Sequence, residues 1–247
     1  LVLLIWIITF SVLGSVGAIA GAALLLLFPE GTRKSLLPCL ISYATGTLLG
    51  AAFLGLIPTA LQAATAPEVS STVLAGIVLF FLLEKAVIWR HCHDEDCEVH
   101  GEAGPLLLIG NGFHNFVDGL VIAAAFLTSV PFGIAASLAV IAHEIPQEVG
   151  DFAILLESGY SRTKALVLNT LSSLTTVPGA VIAFFFLGQT REAIPYILAL
   201  SAASFIYIAT ADLVPGLHRR TGPGAALLQI VLLAAGIGTI WLFRMDH

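Results

Sequence analysis

Hydrophobic residues in this chain fall into eight long runs that are separated by short polar connections. Each run reaches the roughly 20 apolar residues that a helix needs to cross a bilayer, and the connections carry the Gly, Pro, Ser and charged residues of turns. The pattern predicts eight transmembrane helices, at about 2–28, 36–61, 70–90, 104–128, 131–157, 163–188, 192–216 and 223–244. The one longer connection, between the third and fourth runs, contains a polar loop at residues 91–103.

Composition supports the same class. Of the 247 residues, 58% are hydrophobic and only 11% are charged, whereas about 25% of a soluble domain is charged. We therefore expect an all-α integral membrane protein that forms a single transmembrane domain over residues 1–247. The net charge is −6 and the ten Lys and Arg residues are scattered over connections, so no basic stripe for nucleic acid is expected.

The distribution of basic residues predicts the orientation. Alternate connections hold eight of them: Arg33, Lys34, Lys85, Arg90, Arg162, Lys164, Arg219 and Arg220. The opposite side holds two, Arg191 and Arg244. Because cytoplasmic loops are enriched in Lys and Arg, we expect both termini outside the cytoplasm and the 91–103 loop inside it.

A short internal sequence similarity suggests how the spans are arranged. "GLIPTAL" ends the second span and "DLVPGLH" ends the seventh. Three spans on either side of a central pair form a 3+2+3 arrangement, which fits the inverted repeats found in transporters.

The fourth and fifth spans carry the polar chemistry. "HNFVDG" supplies His114, Asn115 and Asp118, and "HEIPQE" supplies His143, Glu144 and Gln147, together with Glu148 and, three residues later, Asp151. With 3.6 residues per turn, the His, amide and carboxylate side chains of each span lie on one face.

No Lys or Arg occurs in either of these two spans to neutralise the carboxylates. They must be protonated or paired with a cation that is not a side chain. Imidazole with carboxylate and amide oxygen suits Zn²⁺, and Fe²⁺ or Mn²⁺ are alternatives. For Asn111 we favour an interhelical hydrogen bond. Glu148 and Asp151 stay open between a place on the transport path and a role in helix packing.

Together, "HNFVDG" and "HEIPQEVGD" resemble the ZIP family of zinc and iron transporters, and the resemblance covers nearly the whole chain. It is closest to the branch with His-Glu-x-Pro-His-Glu-x-Gly-Asp. The resemblance implies uptake of divalent metal toward the cytosol by a homodimer. The ligand positions that it implies are His114, Asn115, Asp118, His143, Glu144 and Gln147.

The same resemblance implies a two-metal site in which Asp118 is the best bridging ligand, but two departures put this in question. Gln147 stands where the branch has a histidine, which weakens one ligand position. Thr176 and Val177 stand where some bacterial relatives have a glutamate. A single-metal site is therefore the alternative.

Two further groups are candidate metal contacts. The loop residues His91, Cys92, His93, Cys97 and His100 favour a flexible metal-capturing or sensing segment, since the Cys-x4-Cys spacing is not that of a closed structural zinc site. Asp212 and His218, at the end of the seventh span, fit either an exit station or helix capping.

The sequence thus predicts a secondary transporter and not an enzyme, with zinc as substrate, Fe²⁺, Mn²⁺ or Cd²⁺ as alternatives and no organic cofactor. The compact chain suits a bacterial inner membrane. An intramembrane zinc metallohydrolase is the rival, because "HEIPQ" is similar to His-Glu-x-x-His, although Gln147 stands in the final position. A haem carrier using His114 and His143 is disfavoured by the flanking carboxylates.

Overall fold

The computed structural model describes residues 1–89, 103–218 and 222–244, and every regular element within them is helical. The α-helices are α1 (Val2–Leu27), α2 (Glu30–Gly50), α3 (Ile57–Ala60), α4 (Ala66–Trp89), α5 (Ala103–Thr128), α6 (Val130–Glu157), α7 (Arg162–Ser173), α8 (Thr176–Gln189), α9 (Ile194–Tyr207), α10 (Val214–His218) and α11 (Pro223–Arg244). The predicted all-α class is confirmed.

Seven stretches of the described chain are long and apolar enough to cross a membrane. They correspond to seven of the eight predicted spans. The remaining one is α6, which at 28 residues is long enough but carries Glu144, Glu148 and Asp151 in its second half. The outer faces of the other helices expose large apolar side chains, among them Leu13, Leu82 and Leu227, as a surface in contact with lipid would.

Three predicted spans are not single α-helices, and a proline explains each break. The sixth span divides at Leu174 and Thr175 into α7 and α8 because Pro178 has no N–H to donate to the carbonyl of residue 174. The second and seventh spans instead widen into π-helical stretches, Ala51–Leu56 and Ile208–Leu213.

These two π-helical stretches stand at matching places. Each ends two residues before a proline, Pro58 or Pro215. At the end of each stretch a backbone N–H reaches five residues back, from Ile57 to Ala52 and from Val214 to Ala209. The similar sequences "GLIPTAL" and "DLVPGLH" therefore also share a local structure, a π-helical stretch before a proline.

The helices pack in pairs. The most extensive contacts join α5 to α8, α2 to α11, α1 to α6, and α4 to α9. Glycines allow the first two pairs to approach closely, as is common between membrane helices. A Cβ at Gly119 would lie 2.1 Å from the Thr176 carbonyl oxygen, and one at Gly46 would lie 2.1 Å from that of Leu233.

The α5–α6 hairpin links two of these pairs, α5–α8 and α1–α6, and Ser129 is the one residue between its two helices. The Ser129 side chain caps α6 by accepting a hydrogen bond from the Phe132 N–H, a favoured N-cap arrangement. Gly159, with φ +84°, ends the helix, where the N–H of Gly159 bonds to Leu156 and that of Tyr160 to Leu155. This is a Schellman motif, and it turns the chain directly into α7.

Candidate metal centre

Four side chains from the α5–α6 hairpin converge near the middle of both helices. His114 and Asp118 lie one turn apart on α5, and His143 and Glu144 are neighbours on α6. One donor atom from each of the four lies within 4.8 Å of all the others. Because α5 and α6 are antiparallel and joined by one residue, motifs that are 29 residues apart face each other.

The donor atoms are closely and evenly spaced. His114 Nε2 lies 3.1 Å from His143 Nε2, 3.4 Å from Glu144 Oε1 and 3.6 Å from Asp118 Oδ2. His143 Nε2 lies 3.2 Å from Asp118 Oδ2 and 3.6 Å from Glu144 Oε1. Four ligands at zinc bond lengths of 2.0–2.1 Å in a tetrahedron are about 3.3 Å apart. These five separations fall around that value, and the sixth, between the Asp118 and Glu144 oxygens, is within 4.8 Å, so the four donors are close enough to share one ion.

The His143 ring is held in the orientation that such a site needs. Its Nδ1 lies 3.0 Å from the Ala139 carbonyl oxygen. Since a carbonyl can only accept, Nδ1 carries a proton, and the lone pair of a neutral ring is then on Nε2, which faces the cluster. The Phe205 ring of α9 packs edge-on against the imidazole, with 5.8 Å between centroids.

The carboxylates of this cluster have no conventional partner. Asp118 is fully buried and Glu144 is 1% exposed. All four of their oxygens are buried without a hydrogen bond, and in the described part of the chain histidine nitrogens are their only ion-pair neighbours. Buried carboxylates of this kind require a cation or protons.

The two amides predicted as ligands make other contacts. Asn115 Nδ2 donates to Asn111 Oδ1 (2.7 Å), and Gln147 Nε2 donates to the same oxygen (3.2 Å). Thr176 Oγ1 lies 3.1 Å from Asn115 Oδ1. Asn111 thus makes the interhelical hydrogen bond that the sequence favoured. Asn115 and Gln147 border the four donors rather than joining them, and their role as ligands stays a prediction.

Of the further path residues, Glu148 is buried against α7, where its carboxylate accepts a hydrogen bond from Asn169 Nδ2. Asp151 lies farther along α6 and lines a cavity. His218 is exposed at the end of α10. The Asp212 side chain lies outside the described residues, and so do the loop residues His91, Cys92, His93, Cys97 and His100.

A cavity of about 500 Å³ leads to the cluster. Its walls are mainly apolar and come from α4, α5, α6 and α9, and its polar lining includes Asn111, His114, Gln147 and Asp151. It lies toward the end of α4 and the start of α5. On the opposite side of the cluster, Val121–Phe126 of α5 are buried in the hydrophobic core. Among the described residues the cavity thus approaches the cluster from the side opposite to this buried segment.

Sequence reasoning did not find the polar face of α7 and α8. Asn169, Ser173 and Thr176 follow each other at helical spacing, and two of them bond to Glu148 and Asn115. This spacing was the available signal in "LNTLSSLTT". Phe205 gave none, since a phenylalanine in an apolar span does not reveal which ring it contacts.

Comparisons with known proteins show which family the chain resembles. Residues 90–244 match the family model described as "ZIP Zinc transporter". The chain is 35% identical to Zinc transporter ZIP13 of Pongo abelii, over 83% of this chain and 66% of that protein. It is 42% identical to Zinc transporter ZIP4 of Homo sapiens, over 51% of this chain and 19% of that protein. It is 38% identical to Zinc transporter ZIP10 of Danio rerio, over 58% and 18%.

The chain thus spans just under two thirds of the first of these relatives and about a fifth of the other two. The matched region contains both polar motifs and α5–α11, together with the part of the cavity wall that α5, α6 and α9 form. The family match covers more than half of the chain, and the similarity to ZIP13 extends across most of it. The chain belongs to the ZIP zinc transporter family.

Proposed function

We propose that this chain is a secondary transporter that carries zinc across a membrane through the site formed by His114, Asp118, His143 and Glu144. The observation that carries the proposal is the cluster itself. It combines two imidazoles and two orphaned, buried carboxylates at separations of 3.1–3.6 Å. Zn²⁺ would satisfy all four donors at once, and two positive charges would match two carboxylates.

Family membership and local geometry both weigh against the metallohydrolase alternative. ZIP family proteins are transporters rather than enzymes. The position where a zinc protease would have its second histidine is Gln147, and its amide is bonded to Asn111. Glu144, which would be the general base, lies among the four donors instead.

The donor set also bears on which metals the site would take. Mixed imidazole and carboxylate ligands suit zinc and other borderline divalent ions, so Fe²⁺, Mn²⁺ and Cd²⁺ are expected to be weaker alternative substrates. Because only four donors converge and the amide oxygens of Asn115 and Gln147 are weaker ligands than the carboxylates, we favour one metal ion over two. No organic cofactor is needed for this mechanism.

We propose that the cavity is the route to the cytosol. It lies at the end of the molecule where α4 and α5 approach the 91–103 loop, and basic residues concentrate in connections on that side. The positive-inside rule then places the loop and the cavity mouth in the cytoplasm and both termini outside. In this orientation the structure is inward-facing and the buried apolar segment Val121–Phe126 blocks the outer side.

The packing supports a 3+2+3 arrangement of eight spans. In an inverted repeat each element has a counterpart: α5 corresponds to α6, α1 to α7–α8, α2–α3 to α9–α10, and α4 to α11. Under this correspondence the contact between α5 and α8 matches the contact between α6 and α1. The contact between α2 and α11 likewise matches that between α9 and α4. Every major contact thus has a counterpart, as an inverted repeat requires, and the matching π-helical stretches add to this.

Uptake into proteoliposomes that contain a zinc-sensitive dye tests the transport proposal. External zinc should raise the dye signal with wild-type protein, and Glu144→Gln should reduce the rate at least tenfold because it removes one charged ligand. Glu192→Gln is the matched control, since Glu192 is an exposed residue of the turn before α9 and should transport normally. Equal rates for the two variants, or no uptake by the wild type, would refute the proposal.

The orientation has its own test. A maleimide that does not cross membranes should label Cys92 and Cys97 in inside-out vesicles but not in intact cells, in a Cys39→Ser background. The reverse labelling pattern would place the loop outside. A homodimer and a bacterial inner membrane stay predictions, which crosslinking in native membranes and fractionation of the host cell would check.

A further inference from the structure

We propose that Asn111 is a positioning residue that fixes the polarity of the Gln147 amide, so that Gln147 presents its carbonyl oxygen to the zinc path. The inference rests on the proposed function and adds a residue to the same site. It follows from the order of hydrogen bonds in a chain of side chains that links α5, α6 and α8.

The chain of hydrogen bonds starts at a group whose polarity is fixed. Asn115 Nδ2 lies 3.1 Å from the main-chain carbonyl oxygen of Asn111. A main-chain carbonyl only accepts hydrogen bonds, so the Asn115 atom facing it must be the NH₂ group. The other end is compatible with this polarity, because the Thr176 hydroxyl lies 3.1 Å from Asn115 Oδ1 and 2.9 Å from the Ser173 carbonyl oxygen and can donate to either.

This polarity passes through Asn111 to the neighbouring helix. The same Asn115 NH₂ lies 2.7 Å from the Asn111 side chain, which must therefore offer its Oδ1. Gln147 reaches that oxygen at 3.2 Å and must do so with its own NH₂. If the Asn111 or the Gln147 amide alone were reversed, NH₂ would face NH₂ or oxygen would face oxygen. The backbone carbonyl of Asn111 therefore determines the orientation of all three side-chain amides.

The orientation of the Gln147 amide determines which of its polar atoms is available to the cavity. Its nitrogen is committed to Asn111, whereas its side chain is half-buried and lines the cavity beside His114. The remaining polar atom, Oε1, is a neutral oxygen that can bind a divalent cation, and an NH₂ group in its place would repel one. Asn111 thereby lets glutamine serve at a position where the branch of the family has an imidazole.

Within residues 1–89, 103–218 and 222–244, Asn111 makes no other hydrogen bond that would explain a buried amide. It is 5% exposed, and its Nδ2 has no partner among these residues. Both donors that it accepts come from residues flanking the zinc site. A side chain retained only for packing would more easily be apolar, because a buried unpaired NH₂ is destabilising.

The test is a comparison of zinc dissociation constants for the purified protein, measured by competition with a fluorescent zinc chelator. Asn111→Leu removes the acceptor at similar volume, and Asn111→Asp keeps it. Each substitution is introduced singly into the wild-type protein. Asn111→Leu is also combined with Gln147→His, in which the imidazole would bind zinc through its own nitrogen. Elution as a single peak is required of every variant.

We expect Asn111→Leu to weaken zinc binding roughly tenfold, the lower range for loss of an outer-shell partner. Asn111→Asp should bind within about twofold of the wild type or more tightly, because its carboxylate accepts both hydrogen bonds. In the Gln147→His background the Asn111→Leu change should cost about twofold or less. Equal losses in both backgrounds, or a loss in Asn111→Asp equal to that in Asn111→Leu, would overturn the inference.

An unchanged affinity in Asn111→Leu would overturn it as well. These results are distinct from failure of the proposed function, in which the wild-type protein itself would bind no zinc and transport none.

Discussion

Replacing Gly119 with alanine tests how the packing of α5 sets the geometry of the zinc site. Gly119 follows Asp118 directly and faces α8, where a Cβ would lie 2.1 Å from the Thr176 carbonyl oxygen and 2.6 Å from the Ala180 nitrogen. Ordinary van der Waals contact begins at 3.4 Å. Both obstructing atoms are backbone, so no side-chain rotation can make room, and the two helices must separate by roughly 1 Å.

Overpacking of this kind destabilises a protein by about 1–3 kcal/mol. The separation also acts on the site, because Thr176 Oγ1 and Asn115 Oδ1 are 3.1 Å apart and a further ångström breaks their hydrogen bond. Asp118, which precedes Gly119, moves with it, and this changes its 3.2 Å separation from His143. We therefore expect Gly119→Ala to lower the melting temperature and to weaken zinc binding roughly tenfold, as loss of an outer-shell contact does.

Thermal unfolding of the detergent-purified protein, with and without zinc, measures both effects. Gly150→Ala is the matched control, because Gly150 lies on α6 with nothing within 4 Å of the added Cβ. That variant should melt at or above the wild-type temperature, since alanine favours a helix over glycine by about 0.5–1 kcal/mol. If Gly119→Ala behaved like Gly150→Ala, α5 and α8 would not be as close as the structure has them.

Three other predictions concern the site. His143→Ala should abolish zinc-dependent stabilisation, which for the wild type at a zinc concentration of 100 Kd should be about 2.7 kcal/mol; a zinc-induced rise in melting temperature that persists in this variant would contradict it. Zinc affinity should fall on acidification, because imidazole and carboxylate ligands must lose protons to bind metal; a Kd that does not change with pH would argue against these ligands. Gln147→His should tighten zinc binding by replacing a weak oxygen with a strong nitrogen ligand; weaker binding in isothermal titration would show that a side chain at this position does not reach the metal.

The main features of the fold were predictable from the sequence because lipid imposes simple rules. Runs of about 20 apolar residues give the spans, and seven of the eight meet the criterion for crossing a membrane. The four central donors were among the predicted ligands, since His114 and Asp118 are one turn apart on one helix and the next helix carries a second His and carboxylate pair, His143 and Glu144. The interruptions of the second, sixth and seventh spans were not predicted, and the prolines alone would not show whether a helix stops, as at Leu174, or widens, as before Pro58.

Partners across helices could not be predicted, because they depend on packing. Asn115 and Gln147 have the spacing of ligands, yet both donate to Asn111, whose own place in the stripe suggested only a helix contact. Thr176 attracted notice for the glutamate it replaces, whereas in the structure it holds Asn115. The spacing along each helix predicts which polar side chains share a face, but it does not reveal which of them will form hydrogen bonds with one another.

The vertical order of the ligands bears on the direction in which metal is released. Along α5 the carboxylate Asp118 lies one turn beyond His114 toward the closed side, and Asn111 lies almost one turn before it toward the cavity. Since α6 runs the opposite way, Gln147, one turn after His143, also lies on the cavity side. An ion leaving the four donors through the cavity would next meet the neutral amide oxygen of Gln147, a weaker ligand than imidazole or carboxylate, before it reaches Asp151 in the cavity lining. In the proposed inverted repeat Asp118 and Gln147 are counterparts, because each lies four residues after the histidine of its helix. The two halves of the hairpin would then be related in position but not in chemistry. This asymmetry favours release on the cavity side without any change in the four donors, and exchanging the two residues (Asp118→Gln with Gln147→Asp) should slow dye-reported uptake while zinc binding persists.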